Sequence, residues 1–580
     1  MAQDEFDPKL GRIRDARRAR AQRHAALVFR QAGKQGARAP RQRGHISSAT
    51  PKRGMGTGLR AASDLIAPGT RRVIVKARYT RIIGGDLGAA RAHLKYIVRD
   101  GVTREGAPGR LYDATGDDVD GSAFLDRSEK DPHQFRFVVS ADEGSRLADL
   151  KPFIRDLLAQ MERDLDTKLD WAAVDHFNTG HPHTHVVIRG RDQDGGDLVM
   201  ARDYIAHGVR ARAQSLITLE LGPETEVERV KKLFNEVGQE RLTRLDRSLI
   251  ARAKDGILTV SATEELDPVQ RALRVGRLRT LERFGLAKER QQGVWALDAG
   301  AEGKLRQLGE RADKFKMMQR ALKEAGIDRG TAGMALFERG PRKAPLVGKV
   351  VAVGLVDEIT DRTWVVVDAV DGRVHYAELG RLSAAEVPNR GMLVALAGDH
   401  LEGKPSKYPK LQVLSPVELE RHAGYDGPTW LDRAILSKWR RDASTRGFAA
   451  EVYSALAARG RWLVARQLAE AAPGGDIIPK PDMMRRLRQA ETQRLAEDLS
   501  RRLNASYLPA ERGRQTAGVY ERAITTPTGK LAVIRQEDTF TLAPWRPGLE
   551  PYKGRAVTGM IGPTRVAWAL DRGRTLPGRG

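Results

Sequence analysis

The stretch Asp175-His176-Phe177-Asn178-Thr179-Gly180-His181-Pro182-His183-Thr184-His185 holds four of the chain's 12 histidines within one decade. Composition alone would place about 0.2 there. The residues alternate on each side of a break at Gly180 and Pro182. Val174, His176 and Asn178 share one parity before it; His183, His185 and Val187 share one after it. Period-two alternation interrupted by glycine and proline reads as two strands joined by a turn. On a strand, His183 and His185 face the same way, about 6.5 Å apart. Paired as a hairpin, the strands set His176 opposite them. Three imidazoles then converge on one divalent metal and leave positions open for a substrate oxygen. A His-x-His pair by itself is usually packing; the third histidine, seven residues upstream, turns the pair into a ligand set.

A hairpin of this kind needs a sheet and helices to hold it. Residues 73–79 read as a strand, and residues 87–98 as a helix with Leu87, Ala90, Leu94 and Ile97 on one stripe. Tyr96 lies near the end of that helix, and Gly101 is a stop signal beyond it. A strand follows at 134–140, an amphipathic helix at about 145–165, then the histidine hairpin. A short extended run at 198–200 and a helix from about 202 to 219 complete the region. The order β, α, β, α, β, β, α predicts an α+β domain: an antiparallel sheet with helices on one face rather than a doubly wound sheet.

These residues carry a resemblance. His176-x-Asn178-x-x-His181-Pro182-His183-x-His185 resembles the third motif of the HUH endonucleases, and more closely that of the relaxases that nick plasmid or T-DNA border DNA at an origin of transfer. Tyr96-x-x-Arg99-x-Gly101 resembles their first motif. The likeness covers roughly residues 71–225, and the run Asp203-Tyr204-Ile205-Ala206-His207-Gly208-Val209-Arg210 is similar to large relaxases with a long C-terminal extension. The resemblance implies that His176, His183 and His185 bind one divalent metal, Mg²⁺ or Mn²⁺ in the cell, with Zn²⁺ or Ni²⁺ also accepted by three imidazoles. It implies that Tyr96 is the nucleophile, with His176 serving catalysis through the metal. Arg99, His181, Arg202 and Arg210 are assigned to DNA contact. One position departs from the pattern: many relatives have an acid where Asn178 stands, and an amide can hold a ring but cannot take charge. Asp175 has the wrong parity to replace it, and Asp100 is a candidate only by nearness to Tyr96.

The chemistry suits these residues. A tyrosine oxygen that attacks a phosphodiester yields a 5′-phosphotyrosine and a free 3′-hydroxyl, and the step reverses without ATP. Tyrosine ionises near 10, so it needs help at neutral pH. A cation held by neutral imidazoles keeps its full charge for that purpose and for the transition state. Tyr79, Tyr112 and Tyr204 are the rivals. In relaxases the nucleophile precedes the histidine motif, as Tyr96 does; in replication initiators it follows, where Tyr204 stands. Expected partners are single-stranded origin-of-transfer DNA, relaxosome accessory proteins and a type IV secretion coupling protein. A replication initiator, a catalytically degenerate DNA-binding mobilisation protein and a water-using hydrolase are the alternatives.

The rest of the chain sets the frame. Its 100 Lys and Arg against 75 Asp and Glu give a net charge of +25, suited to a polyanion. There is no cysteine, which excludes disulfides, thiolate metal sites and thiol nucleophiles. No secretory signal and no apolar run of about 18 residues is visible, so a cytoplasmic protein without a membrane span is expected. At 580 residues there is room for several domains. Residues 1–70 read as a basic, mostly disordered arm carrying Arg12, Arg14, Arg17 and Arg18, and 71–225 as the histidine domain. Residues 226–340 read as helical and winged-helix-like, with one long helix at 226–253, another from Asp267-Pro268 and a small hairpin at 287–297. Residues 341–420 read as a small β-barrel-like domain. Residues 421–580 read as α+β, helical over 429–471 and 483–503, with a basic tail. No internal repeat is apparent from the sequence.

Overall fold

The structure is a computed structural model that describes residues 69–82, 87–99, 102–177, 182–261, 267–338, 344–357, 362–382, 386–398, 408–437, 446–473, 476–511, 513–562 and 566–569. The basic arm up to residue 68, Asp100, Gly101, Asn178, His181 and the tail lie outside them. The chain divides into two units, residues 1–313 with 358–360, and residues 314–357 with 361–580. Both mix helices with antiparallel sheets, as the α+β expectation required. No helix among the described residues is long and apolar enough to cross a membrane.

The first unit opens with β1 (Val73–Arg81), α1 (Gly88–Ile97), α2 (Gly121–Arg127), β2 (His133–Ala141), α3 (Lys151–Leu165), β3 (Trp171–His176), β4 (His183–Arg189) and α4 (Val209–Leu221). The four strands form one antiparallel sheet in the order β1-β2-β4-β3. Alternation sorts its side chains. Trp171, Ala173, Val186 and Ile188 join Phe135, Phe137 and Val139 in a core with α3 and α4. Ala172, Val174 and Val187, of the opposite parity, pack with Leu94 and Ile97 of α1 and Phe124 of α2. Helices therefore cover both faces, not one. The cause is that the parity opposite to the main core is also apolar along β3 and at Val187, so it too must be buried.

Next come α5 (Glu226–Val237), α6 (Arg244–Arg252), β5 (Ile257–Thr259), α7 (Pro268–Arg283), β6 (Ala287–Gln291), β7 (Val294–Leu297) and α8 (Ala301–Glu324). The single helix expected at 226–253 is two. Thr225 and Thr243 each form a capping box, with Glu228 and Asp246, so each starts its own helix. The expected hairpin after α7 is present, and β5 joins it in a three-stranded sheet ordered β5-β7-β6. Leu249, Leu278, Leu281 and Trp295 fill the core beneath it.

The second unit contains β8 (Met334–Leu336), β9 (Leu346–Asp357), β10 (Arg362–Ala369), β11 (Val374–Arg381), β12 (Leu393–Ala397) and β13 (Lys410–Ser415). They form a six-stranded sheet ordered β13-β12-β9-β10-β11-β8, with β13 and β8 as edges among the described residues rather than a closed barrel. Then follow α9 (Trp430–Leu436), α10 (Phe448–Ala465), β14 (Ala469–Ala471), β15 (Ile477–Pro479) and α11 (Met483–Leu503). The chain closes with β16 (Ser506–Tyr507), β17 (Gln515–Thr526), β18 (Gly529–Gln536), β19 (Thr539–Pro544), β20 (Ala556–Ile561) and β21 (Val566–Ala569), a second six-stranded sheet. Val533, Phe540 and Leu542 of that sheet pack on Leu495 and Leu499 of α11.

Candidate metal centre

β3 and β4 pair in the register that sets His176 directly against His183, with Val174 against His185. All three histidines fall on the sheet face that α1 covers. Their candidate ligand nitrogens lie within 4.8 Å of one another, and all three residues are buried. Ring centroids are 4.4 Å apart for His176 and His185, and 5.2 Å for each of the other two pairs. The hairpin geometry expected from alternation is thus present.

The end of α1 closes on this cluster. His176 Nε2 donates to the Ile97 carbonyl at 2.6 Å, which leaves its lone pair on Nδ1. Burial, helped by His185 and by the Arg99 guanidinium, lowers the His176 pKa to about 3. The ring is therefore neutral at any physiological pH, as a metal ligand must be. Neutral nitrogen donors, convergence and an outer hydrogen bond that fixes a tautomer together fit a divalent cation held by His176, His183 and His185. Gly109 lets the chain pass close behind: a Cβ there would lie 2.7 Å from Val174 Cγ2 and 3.3 Å from the Ile97 oxygen.

Tyr96, one residue before Ile97, is half-buried against the α1 side of the sheet. The Arg99 guanidinium lies 3.9 Å from its ring centroid and donates to the Tyr96 carbonyl at 3.0 Å. The rivals are elsewhere. Tyr79 packs into the core on the opposite face, between His133 and Phe135. Tyr112 donates to Asp175 at 2.9 Å, and Tyr204 donates to Asp164 at 2.9 Å; both are fully buried with the α3 core. Burial, with those carboxylates, raises both phenols well above their ordinary value.

Asp175 points away from the histidines, as its parity required. It accepts from Tyr112 and, at 2.6 Å, from Thr184, and burial pushes its carboxyl up to about 6. Arg202 and Arg210 are not brought to the cluster. Arg202 is exposed and Arg210 half-buried, flanking a π-helical turn, Tyr204–Gly208, whose Tyr204 packs into the α3 core. Arg210 is turned inward, donating to the Ala206 carbonyl at 3.1 Å, and burial lowers its pKa. Asn178 and His181 lie outside the described residues. Sequence reasoning missed His93. It is buried on α1, with its ring centroid 6.3 Å from that of His185. The available signal was its place beside Leu94 and Ile97 on a helix that must cover the hairpin.

Comparison with known families bears on the other end of the chain. The family described as Protein of unknown function (DUF3363) matches residues 274–407 and 397–577, more than half of the chain. The chain belongs to this family. No curated protein and no solved structure matches it. The DUF3363 match starts well after β4, so the histidine cluster precedes the matched region.

Proposed function

We propose that residues 71–225 form a relaxase-type DNA strand transferase, with Tyr96 as nucleophile and His176, His183 and His185 as metal ligands. The observation that carries this reading is the hydrogen bond from His176 to Ile97. It ties the metal set to the last turn of the helix that bears Tyr96. When bound, the divalent cation supplies Lewis-acid charge to a non-bridging phosphate oxygen. The histidines hold it without reducing that charge, and His176 stays neutral. Tyr96 forms the new phosphorus–oxygen bond as the bond to the 3′-oxygen breaks, which conserves the phosphodiester energy for rejoining. Arg99, near enough to act on His176 electrostatically, offers a guanidinium to the phosphate. Origin-of-transfer DNA, relaxosome proteins and a type IV coupling protein are the partners this reading implies. The replication-initiator alternative needs Tyr204, whose hydroxyl is buried and engaged by Asp164.

The test is a covalent trap. The full chain is incubated with Mn²⁺ and a pool of random single-stranded oligonucleotides, and adducts are resolved on a denaturing gel. Mass spectrometry should place the nucleotide on Tyr96. Tyr96→Phe should lower adduct yield at least about a thousandfold while leaving Mn²⁺ affinity near wild type. EDTA should stop the reaction. A free 5′-phosphate with no adduct would point to a hydrolase, an adduct on Tyr204 to an initiator, and oligonucleotide binding without cleavage to an accessory protein.

A further inference from the structure

Around α6 and α9 the chain builds the same object twice. In the first unit Arg277 is fully buried and holds Asp246 with two bonds, Nε to Oδ1 at 2.7 Å and Nη2 to Oδ2 at 2.8 Å. It also donates to the carbonyls of Glu236, Val237, Gln239 and Arg241. In the second unit Arg459 holds Asp432 at 2.8 and 2.9 Å through the same atoms. It donates to the carbonyls of His422, Ala423, Tyr425 and Gly427. All four carbonyls, the aspartate and the capping threonines Thr243 and Thr429 differ by the same 186 positions.

From the arginine onward the spacing is 182 positions, four fewer, and the correspondence continues. Gly285 and Gln467 both take positive φ, and the residues after them, Leu286 and Leu468, close the helix on the Leu281 and Leu463 carbonyls. The hairpin pairs Ala287↔Leu297 and Lys288↔Ala296 recur as Ala469↔Pro479 and Glu470↔Ile478. The third helix begins in step, at Ala301 and Met483, and buries Leu305 and Leu487. Where α8 passes the loop, a Cβ on Gly309 would meet Arg241 at 2.8 Å. In the other copy Gly427 stands opposite Glu491, at 2.9 Å. The bulky residue and the glycine have exchanged sides. The identities include one short run, Thr243-x-Leu245-Asp246-Arg247 against Thr429-x-Leu431-Asp432-Arg433, and are otherwise scattered.

The second copy acts as an internal control for what the fold requires. Residues 268–297 carry seven basic and two acidic side chains; the equivalent 450–479 carry three of each. Arg271, Arg283, Lys288 and Arg290 of the first copy stand where the second has Tyr453, Ala465, Glu470 and Ala472. Arg283, Lys288 and Arg290 are exposed and Arg271 half-buried, and none of the four forms an ion pair among the described residues. The fold thus forms without them.

The geometry points to a second nucleic-acid site: α7 and the β6–β7 hairpin bind the phosphate backbone of duplex DNA, independently of the histidine cluster. α7 has 16 residues, about 24 Å of helix. Its partner sheet, ordered β5-β7-β6, sets a hairpin beside its C-terminus. A helix of that size enters the roughly 12 Å major groove, with flanking cations on the phosphates. An anionic membrane is the competing polyanion. A helix with a hairpin beside it and arginine-rich charge fits grooves and phosphates better than a flat headgroup plane.

The test transfers the second copy's residues into the first: Arg271→Tyr, Arg283→Ala, Lys288→Glu and Arg290→Ala in the full chain. A fluorescent random-sequence duplex of about 30 base pairs is titrated at several salt concentrations. Affinity should fall at least about tenfold, and the slope of log K against log salt should flatten by about 2 to 4. His183→Ala should leave duplex affinity unchanged, which separates this proposal from the reading of the histidine site. Arg461→Ala, in the second copy, should also leave it unchanged. If the four-residue variant misfolds, Lys288→Glu with Arg290→Ala on the hairpin should still cost several-fold. Unaltered duplex binding in a folded variant overturns the proposal. So does a loss confined to phosphatidylserine vesicles, which would assign the patch to a membrane.

Discussion

At the scale of single residues, Arg99 acts in two opposed ways. Its guanidinium depresses the His176 pKa, so it opposes any second positive charge at the cluster. The same charge attracts a phosphate. Arg99→Ala is therefore expected to tighten Mn²⁺ binding several-fold, about 1 kcal/mol, and to weaken oligonucleotide binding by a similar factor. Calorimetry on the free protein reads the first effect and anisotropy the second. Weaker Mn²⁺ binding in the variant would mean that Arg99 supports the ligand set rather than opposing it. The three histidines were legible beforehand because strand parity is a property of the sequence, and a buried face forces the register. The Ile97 carbonyl was not, since every residue carries a carbonyl and only the fold chooses which one meets His176. Asp175 was read correctly as facing away by the same parity.

At the scale of elements, the end of α1 is the part on which the cluster depends, and Gly109 marks how tightly it is held. A methyl there would meet Val174 at 2.7 Å, Val102 at 2.9 Å and the Ile97 oxygen at 3.3 Å. Gly109→Ala should destabilise the unit by about 1 to 3 kcal/mol. By moving the Ile97 carbonyl, it should weaken metal binding about tenfold. Loss of stability with unchanged metal affinity would show that α1 adjusts without disturbing His176. In the second unit, His422 is fully buried beside Ser415 Oγ at 2.9 Å, and burial lowers its pKa to about 4. An unfolded histidine titrates near 6.5. The folded state thus binds fewer protons between those values. Stability is full above about 6.5 and is lost as pH falls towards 4, by about 3 kcal/mol at most. Urea unfolding at pH 7 and pH 4.5 should show this loss in the wild type and not in His422→Gln. Equal losses in both would place the acid sensitivity elsewhere. Element types were mostly visible from periodicity. The break at Thr243 was not given weight, although that threonine stands three residues before an aspartate that completes a capping box.

At the scale of the whole molecule, two units each contain one copy of the arginine-centred module, and each arginine holds an aspartate of its own copy. A buried ion pair adds little over an apolar replacement, but breaking one leaves a carboxylate stranded, at a cost of about 3 to 5 kcal/mol. Each arginine also gathers four carbonyls of the preceding loop, so its removal releases that loop as well. Arg277→Met should therefore abolish amide protection in residues 236–297 while leaving 422–479 protected, and Arg459→Met should do the reverse. The two costs should add within about 0.5 kcal/mol in the double variant. Restoring apolar balance with Asp246→Leu in the Arg277→Met background should recover most of the stability, because the stranded charge, more than the missing guanidinium, is the penalty. Hydrogen exchange read by mass spectrometry reports all four variants in one experiment. If Arg277→Met strips protection from 422–479 as well, the copies are energetically coupled. The second copy would then no longer be an independent control for what the module's fold needs, and the charge contrast between the copies would lose its force.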